Sequence, residues 1–421
     1  MRATLPDRRR PHRMAIALGA ALLAAPVLAA CGSDDDGKTI VNLYYAPEDK
    51  LEDVVANCNE AAAGRYEIVY TKLPREADGQ REQMVRRLAA EDSDMDVMSL
   101  DVTWTAEFAE AGWIQEWTGD AKAEAEDGTL EGPLASATWE DKLYAAPKNT
   151  NVQLLWYRSD LVDTPPETFD ELIDAANELK DSDQPYVVGM TGAQYEGLVV
   201  QYNTLTASAG GTLVSEDGKT AVVDDGAVRA LEVLKNFATS GVASTSLSNA
   251  KEDDVRLAFQ NEQMAFQLNW PYVYAAMQAG NPDLEFDWAR YPGVDGPAKV
   301  TIGGFNLAVS KYAKHSAEAF DAALCLRNAE NQRYSAINSG VPPTIESVYD
   351  AEGMDEAYPM RDTILEELKD AAVRPVTPAY QNASTIISTV LSPPQSIDPR
   401  KTADRLRKEL QDALDSKGVL P

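Results

Sequence analysis

Short apolar runs alternate with stretches of helical spacing through the first part of the chain. Residues 39–45, 66–70 and 96–100 are predicted as strands, and the first two runs are rich in the β-branched and aromatic residues typical of strands. Between the first two runs, apolar side chains recur at positions 51, 54, 55 and 58, which places them on one face of a helix. A second helical stretch precedes the third run. This order predicts a largely parallel sheet covered by helices.

A second series of such elements follows residue 147. Thr168 and Glu171 have the spacing of a capping box, which predicts that a helix begins there. Further helices are predicted through positions 201 and 231, with strands at 186–190, 264–268 and 301–310. These elements predict a second α/β unit, in which Trp156 and Tyr157 belong to an apolar strand of the core.

The strand predicted at 264–268 ends at Trp270-Pro271. Proline lacks an N–H and cannot continue a central ladder, so Trp270 is expected at the carboxyl end of the strand. Ligands of open α/β sheets bind at that edge. With Tyr272 and Tyr274 close by, Trp270 could be an aromatic platform for the flat faces of a sugar. The alternative is a core tryptophan at a strand end.

The first 30 residues have the pattern of a secretory leader. Five arginines precede an apolar run at 14–30, which is short for a membrane span of about 20 residues. Its end, Leu28-Ala29-Ala30-Cys31, resembles a bacterial lipobox. We therefore expect a signal peptide at 1–30, a lipid on Cys31, a polar tether at 31–37 and an extracytoplasmic protein anchored to the outer face of the cytoplasmic membrane. Export by the general secretory route or by a twin-arginine signal stays open.

The charge balance narrows the classes of partner. The 421-residue chain has 38 basic and 68 acidic residues, and without residues 1–30 its net charge is −34. Such a surface repels nucleic acid and anionic lipid headgroups, so contact with the membrane is expected through the lipid anchor alone. Only His12 and His315 are present, which argues against a His-based triad or a multi-His metal site. We expect no catalytic residue, metal or cofactor.

Two cysteines remain beside the predicted lipidation site. In an oxidising compartment Cys58 and Cys325 could form a disulfide, and the alternative is two buried thiols.

Several segments, taken in order, resemble one protein family. They are the lipobox, Asp101-Val-Thr-Trp104, the stretch 144–157, Thr168–Leu172, Ala258-Phe259 ahead of Asn269-Trp270-Pro271, and Gly303-Gly304. Together they resemble the extracellular solute-binding proteins of carbohydrate ABC importers, which include maltose- and trehalose-binding proteins. The leader makes the chain most similar to the trehalose-binding lipoproteins of mycobacteria.

The resemblance implies an α/β, two-lobed, periplasmic-binding-protein-like fold. Each lobe would be a mostly parallel sheet with flanking helices, and a hinge would join the two. Lobe one would comprise 38–146 and 302–342, and lobe two 147–301 and 343–421. Cys58 and Cys325 would both fall in lobe one, which favours the disulfide. The resemblance further implies a monomer that closes over a sugar, with trehalose the first choice, and delivers it to the transmembrane subunits of an ABC permease.

Three polar side chains are candidates for sugar hydroxyls. Asp101 ends the third strand and can accept two hydroxyls, or it could cap the next helix. Asn151 combines donor and acceptor; Asn149 is its rival, and both could be turn residues. Glu252 would come from lobe two, on the strength of the resemblance, or could be a solvated acid at a helix start.

Other candidates would complete the site around Trp270. Gly304 would expose backbone groups to the ligand, and Phe305 would add an apolar wall. Arg374 could donate two hydrogen bonds to neighbouring hydroxyls, or could form a structural salt bridge. Tyr45 and Glu48, near the first loop, are weaker candidates.

Three other functions stay open. A binding protein could take malto-oligosaccharides or glycerol-phosphate esters, although the acidic balance disfavours a phosphate. Asp101 and Glu252 could be the carboxylate pair of an extracellular glycoside hydrolase. A structural surface lipoprotein would bind no solute.

Overall fold

The computed structural model describes residues 38–75 and 77–416. The predicted signal peptide at 1–30, the lipidation site Cys31 and the tether at 31–37 lie outside these residues. The described residues all belong to one compact unit.

Strands and helices alternate along the described chain. The strands are β1 (Thr39–Tyr45), β2 (Tyr66–Lys72), β3 (Val97–Asp101), β4 (Thr138–Trp139), β5 (Lys142–Leu143), β6 (Ala146–Asn151), β7 (Leu154–Tyr157), β8 (Val188–Gly189), β9 (Phe266–Asn269), β10 (Asp287–Ala289) and β11 (Gly303–Val309). The helices are α1 (Leu51–Ala61), α2 (Ala77–Ala89), α3 (Thr105–Glu110), α4 (Gly119–Glu126), α5 (Glu131–Ser136), α6 (Phe169–Asp181), α7 (Glu196–Ser208), α8 (Asp225–Thr239), α9 (Glu252–Gln260), α10 (Val273–Gly280), α11 (Ser316–Arg327), α12 (Ala329–Ser339), α13 (Met354–Ala357), α14 (Arg361–Lys369), α15 (Tyr380–Leu391) and α16 (Pro399–Leu414). Short 3₁₀ helices occur at Leu247–Asn249, Glu346–Asp350 and Pro394–Ser396.

The two main sheets are mixed. The five-stranded sheet has the order β2-β1-β3-β11-β6, and the four-stranded sheet has the order β10-β7-β9-β8. In the first, β1 is parallel to β2 and β3, while β11 is antiparallel to β3 and β6. In the second, only β8 and β9 are parallel. The α/β class is confirmed, but the expectation of mostly parallel sheets is corrected. In the five-stranded sheet β11 is inserted antiparallel after the chain has passed through the four-stranded sheet, and in the four-stranded sheet β7 is antiparallel to both of its neighbours.

Each sheet has its own apolar core. Leu43, Phe108 and Leu307 belong to the cluster around the five-stranded sheet. A second cluster surrounds the four-stranded sheet and includes the fully buried Trp156, as predicted for the core. In the first cluster Cys58 of α1 is bonded to Cys325 of α11, with 5.8 Å between their Cα atoms.

The chain passes from one sheet to the other between β6 and β7. Strand β6 pairs with β11 as far as Asn151, so residues 147–151 belong to the five-stranded sheet. After two residues, Leu154 begins β7 in the four-stranded sheet. The capping box of α6 is confirmed: the backbone N–H of Glu171 donates to the Thr168 hydroxyl at 3.1 Å, and the Thr168 N–H donates to the Glu171 carboxylate at 3.2 Å.

Within residues 38–75 and 77–416, no helix has both the length and the apolar composition needed to cross a bilayer.

One buried carboxyl joins α14 to the segment that follows β10. The side chain of Glu367 is 0% exposed. Its carboxylate accepts hydrogen bonds from the Tyr291 backbone N–H at 2.7 Å and from Arg290 Nη2 at 3.2 Å. Burial raises the pKa of Glu367 to about 7, although Arg290 and the Tyr291 N–H oppose the rise.

This pKa predicts how stability depends on pH. Between the ordinary value of 4.5 and about 7, the folded protein binds more protons at Glu367 than the unfolded chain does. The contribution of Glu367 to the free energy of unfolding therefore falls as pH rises through that window, by up to about 3 kcal/mol. Glu367→Gln should flatten this part of the profile, as measured by urea unfolding at pH 5 and pH 8. The control is Glu366→Gln, whose side chain is 63% exposed and bonds the same Arg290. Equal pH dependence in Glu367→Gln and the unmodified protein would contradict the prediction.

Candidate functional site

A cavity of about 270 Å³ lies where elements of the two sheets meet. Six of the ten predicted ligand residues line it, and clefts of about 500 and 650 Å³ elsewhere contain none of the ten. The lining residues are Arg75, Ala77, Asp101, Asn151, Tyr195, Glu196, Gly197, Val200, Glu252, Trp270, Gly303, Gly304 and Arg374.

Trp270 is held at the end of β9 as its sequence context predicts. The strand ends at Asn269, and the Trp270 N–H donates to the Asn269 side-chain oxygen at 2.9 Å. The six-membered part of the indole lies beside Gly303, where an added Cβ would be only 3.1 Å from Cη2. The lack of a side chain at Gly303 therefore allows β11 to pass close to the half-buried indole.

Gly304 is required by the way β11 packs on β6. Its φ is +124°, which side-chain-bearing residues rarely adopt, and an added Cβ would lie 2.4 Å from the Asn149 carbonyl oxygen. The Gly304 carbonyl accepts a hydrogen bond from the Val102 N–H at 3.2 Å. This glycine thus lets β11 pack closely on β6 while it bonds the end of β3, next to the cavity.

Arg374 connects two carboxylates across the cavity. Its Nη1 donates to Glu196 at 2.6 Å and its Nη2 to Asp101 Oδ1 at 3.3 Å. The side chain is 3% exposed. Burial alone would lower the pKa of Arg374, but the neighbouring charges, that of Asp101 foremost, outweigh this and raise it.

Glu196 and Asp101 are held by further hydrogen bonds. The hydroxyls of Tyr380 and Ser384 both donate to the Glu196 carboxylate. Burial raises the pKa of Glu196, and Arg374 and the two hydroxyls reduce the rise. At Asp101, Oδ1 accepts hydrogen bonds from the N–H of Thr103 at 3.0 Å and from its hydroxyl at 2.8 Å. Helix α3 begins only at Thr105, so this local turn is not its N-cap.

Three polar atoms of the lining residues are buried and have no hydrogen-bond partner in the described part of the chain. They are Asn151 Oδ1, Tyr195 Oη and Arg374 Nε. Buried polar groups are nearly always paired, so unpaired atoms that cluster at one cavity need an explanation, such as water or a ligand. Burial, together with the nearby charge of Glu252, raises the pKa of Tyr195, whose hydroxyl therefore stays protonated.

The other four predicted residues do not line the cavity. The Asn149 amide donates to Tyr45 Oη at 3.1 Å and to Glu48 Oε2 at 3.2 Å, and its oxygen accepts the Phe305 N–H at 2.8 Å. The Phe305 ring lies 5.5 Å from that of Tyr45, and Glu48 pairs with the buried Lys148. Asn149 lies two residues before Asn151 on β6, and its amide is engaged by these packing contacts outside the lining of the cavity.

Seven lining residues were not predicted. Tyr195, Glu196 and Gly197 begin α7, which follows β8, so the rule that ligands gather beyond strand ends could have indicated them. Gly303 belonged to a recognised Gly-Gly pair. Arg75, Ala77 and Val200 carry no signal in the sequence.

In the described part of the chain, no group of three His, Cys, Asp or Glu side chains could hold a metal ion.

Comparison with known proteins adds family information to this geometry. The family model described as bacterial extracellular solute-binding protein matches residues 60–333. A protein of Deinococcus radiodurans described as a probable ABC transporter-binding protein is 28% identical over 350 residues, which cover 80% of this chain and 83% of that protein. The multiple sugar-binding protein of Streptococcus mutans is 24% identical over 258 residues, covering 58% of this chain and 60% of that one.

Solved structures show the same fold. A structure described as maltose-bound MalE3 of T. maritima superposes with a TM-score of 0.78 at 27% identity, covering 89% of this chain and 99% of that chain. The GacH receptor of Streptomyces glaucescens, described both unliganded and with acarbose, gives a TM-score of 0.77 at 22% identity and covers 90% of this chain and all of its own. The periplasmic-binding-protein-like architecture is thereby established.

The close packing around Gly304 predicts that the stability of the fold is unusually sensitive to a methyl group added at this position. Gly304→Ala should lower the free energy of unfolding by about 2–4 kcal/mol, because the new Cβ meets backbone and the φ is strained. Gly64→Ala is the matched control: φ there is +83° but nothing lies within 4 Å of the added Cβ. It should cost about 1 kcal/mol in the same urea titration. Equal losses in the two variants would show that the close contact with β6 has no energetic effect.

Proposed function

Because this chain belongs to the family of bacterial extracellular solute-binding proteins, we propose that it is the lipid-anchored substrate-binding component of an ABC sugar importer. The proposed ligand is a disaccharide, with trehalose the first choice. The names of the Deinococcus and Streptococcus relatives support an ABC transporter and a sugar ligand, respectively. The preference for trehalose derives from the resemblance of the sequence to trehalose-binding lipoproteins.

The observation that carries a sugar ligand is the set of unpaired polar atoms beside an indole. Arg374 Nε needs an acceptor, Asn151 Oδ1 needs a donor, and Tyr195 Oη can do both. A sugar hydroxyl both donates and accepts, so one class of group satisfies all three atoms. Trp270 adds an apolar face of the kind on which a sugar ring stacks.

We propose that binding is coupled to closure of two lobes. The bounds expected from the sequence, 38–146 and 302–342 for lobe one and 147–301 and 343–421 for lobe two, are kept in this proposal with one change: residues 147–151 count with lobe one, because they pair with β11. Asp101 and Gly304 then come from lobe one and Trp270 and Glu252 from lobe two. Contacts made to both lobes exist only in the closed form, so a ligand shifts the hinge equilibrium toward it. The closed form would be the one that the permease subunits recognise.

Two alternative ligands are ranked by the cavity and the comparisons. Malto-oligosaccharides are the second candidate, because the T. maritima relative was solved with maltose. Glycerol-phosphate esters are disfavoured, because Asp101, Glu196 and Glu252 place three carboxylates in a lining whose arginines are Arg75 and Arg374. The hydrolase alternative is ruled out, since the chain belongs to a family of binding proteins and is not an enzyme.

Titration calorimetry with trehalose, maltose and glycerol 3-phosphate tests the proposal. Trehalose should bind, and Trp270→Ala should weaken binding at least about tenfold, because about 1.4 kcal/mol or more of stacking contact is lost. Trp139→Ala is the matched control, since that indole lies in the small β4–β5 hairpin outside the cavity. Full affinity in Trp270→Ala would show that the indole does not contribute to sugar binding. Failure of every sugar tested to bind would overturn the proposed function.

The anchor is tested separately by Cys31→Ser. A thiol is needed to take up the lipid, so the variant should be released from the membrane fraction, whereas Ser33→Ala in the tether should stay attached. Cell fractionation with immunoblotting measures the difference. Retention of the Cys31→Ser protein in membranes at the unmodified level would contradict lipid anchoring.

A further inference from the structure

Glu196 lines the cavity, yet its carboxylate is already engaged by the protein. It is the first residue of α7. Oε1 accepts Arg374 Nη1 at 2.6 Å and the Tyr380 hydroxyl, and Oε2 accepts the Ser384 hydroxyl. Both oxygens are thus occupied, and the residue has less capacity for a ligand than its position suggests.

The guanidinium held by Glu196 is more weakly held on its other side. Arg374 Nη2 lies 3.3 Å from Asp101 Oδ1 and 3.3 Å from the Ile302 carbonyl oxygen. Its Nε is buried without a partner. In the described part of the chain, every hydrogen bond accepted by the Asp101 carboxylate goes to Oδ1. Nε of Arg374 and Oδ2 of Asp101 are therefore the free groups of this ion-pair chain.

The two carboxylates belong to different parts of the fold. The helix that begins with Glu196 continues with Leu198 and Val199 into the core of the four-stranded sheet. Asp101 ends β3 of the five-stranded sheet. The Arg374 side chain is therefore fixed from the side of the four-stranded sheet and extends toward the other.

We propose that Glu196 is a positioning residue that fixes the guanidinium of Arg374, so that Arg374 and Asp101 bind the same ligand hydroxyls together. This inference rests on the proposed function in one respect, namely that the ligand is a neutral sugar. Glu196 acts through Arg374 and does not need to touch the sugar. The negative charge is the essential property, because a buried guanidinium that loses one of its two carboxylates relaxes toward the other, Asp101, and occupies the group that a hydroxyl would use.

A double-mutant cycle with trehalose and maltose as probes tests this inference. Glu196→Gln keeps the shape and one acceptor oxygen for Arg374 and Tyr380, and its amide can donate to the Ser384 hydroxyl oxygen, but the charge is removed. It should weaken binding at least about tenfold. Arg374→Met should weaken binding by a similar factor. The double variant should bind no more weakly than Arg374→Met alone, because Glu196 then has nothing to position. Losses that multiply in the double variant, or full affinity in Glu196→Gln, would overturn the proposal.

Glu367→Gln is the matched control. Glu367 is likewise a glutamate paired with an arginine, Arg290, but it is fully buried and does not line the cavity. Its substitution should leave both affinities unchanged. If it weakens binding as much as Glu196→Gln does, the effect is a general loss of stability and the positioning role fails.

Glu196→Asp distinguishes positioning from simple packing without relying on Arg374→Met. It keeps the charge on a side chain one methylene shorter and should bind with an affinity between those of the unmodified protein and Glu196→Gln. An aspartate variant as weak as the glutamine variant would overturn the requirement for charge.

Thermal unfolding without sugar separates this inference from the proposed function. If neither sugar binds the unmodified protein, the proposed function fails, but the ion-pair coupling can still be measured. Glu196→Gln should lower the Tm of the unmodified protein and should leave the Tm of Arg374→Met unchanged or raised, because it then removes a partly buried carboxylate that has lost its counter-charge. Equal Tm losses in both backgrounds would overturn the positioning role.

Discussion

The cavity depends on how the buried charge of Arg374 is compensated. Taking a guanidinium out of water costs several kcal/mol unless carboxylates with good geometry surround it. Here the compensation comes from Glu196 at the start of α7, a helix packed in the core of the four-stranded sheet, and from Asp101 at the end of β3 in the five-stranded sheet. The pair cannot form unless these elements meet. The same interaction therefore fixes the place of a polar cavity and holds its walls. Nε of Arg374 has no partner in the described part of the chain and stays available to donate a hydrogen bond to a ligand.

The backbone imposes a second constraint at the same place. β11 has to pass between β3 and β6 and beside the indole of Trp270, and the Gly303-Gly304 pair leaves room for both approaches. Gly303 lacks the Cβ that would touch the ring, and Gly304 takes a φ of +124° against the carbonyl of Asn149. Asn149 then uses its own side chain to bind the Phe305 N–H, where the register of β11 shifts. The polar network of Tyr45, Glu48, Lys148 and Asn149 supports this irregular strand from behind and does not line the cavity.

The elements that the sequence predicted well are those whose signals are local. The strand end at Trp270-Pro271, the capping box at Thr168 and the core position of Trp156 each follow from a few neighbouring residues. The direction of a strand cannot be predicted from such local signals. β11 pairs with β6, which lies about 150 residues earlier in the chain, and pairing over such a distance leaves no periodic pattern in the sequence. Glu196 was missed for a similar reason: its importance comes from Arg374, which is 178 residues distant in the chain. Asn149 and Asn151 look alike in the sequence, and only their depth along β6 separates a packing amide from a lining one.

The charge of the cavity explains why a neutral, hydroxyl-rich ligand suits it better than an anion. The lining contains the carboxylates of Asp101, Glu196 and Glu252, and the buried cation Arg374 is already shared by the first two. A phosphate would have to approach this set with its own negative charge, in an environment where charges are poorly screened. A sugar hydroxyl brings no net charge and can donate to a carboxylate while it accepts from the guanidinium. The aromatic face of Trp270 then contributes contact that does not depend on charge, so affinity and selectivity would rest on different walls of the cavity.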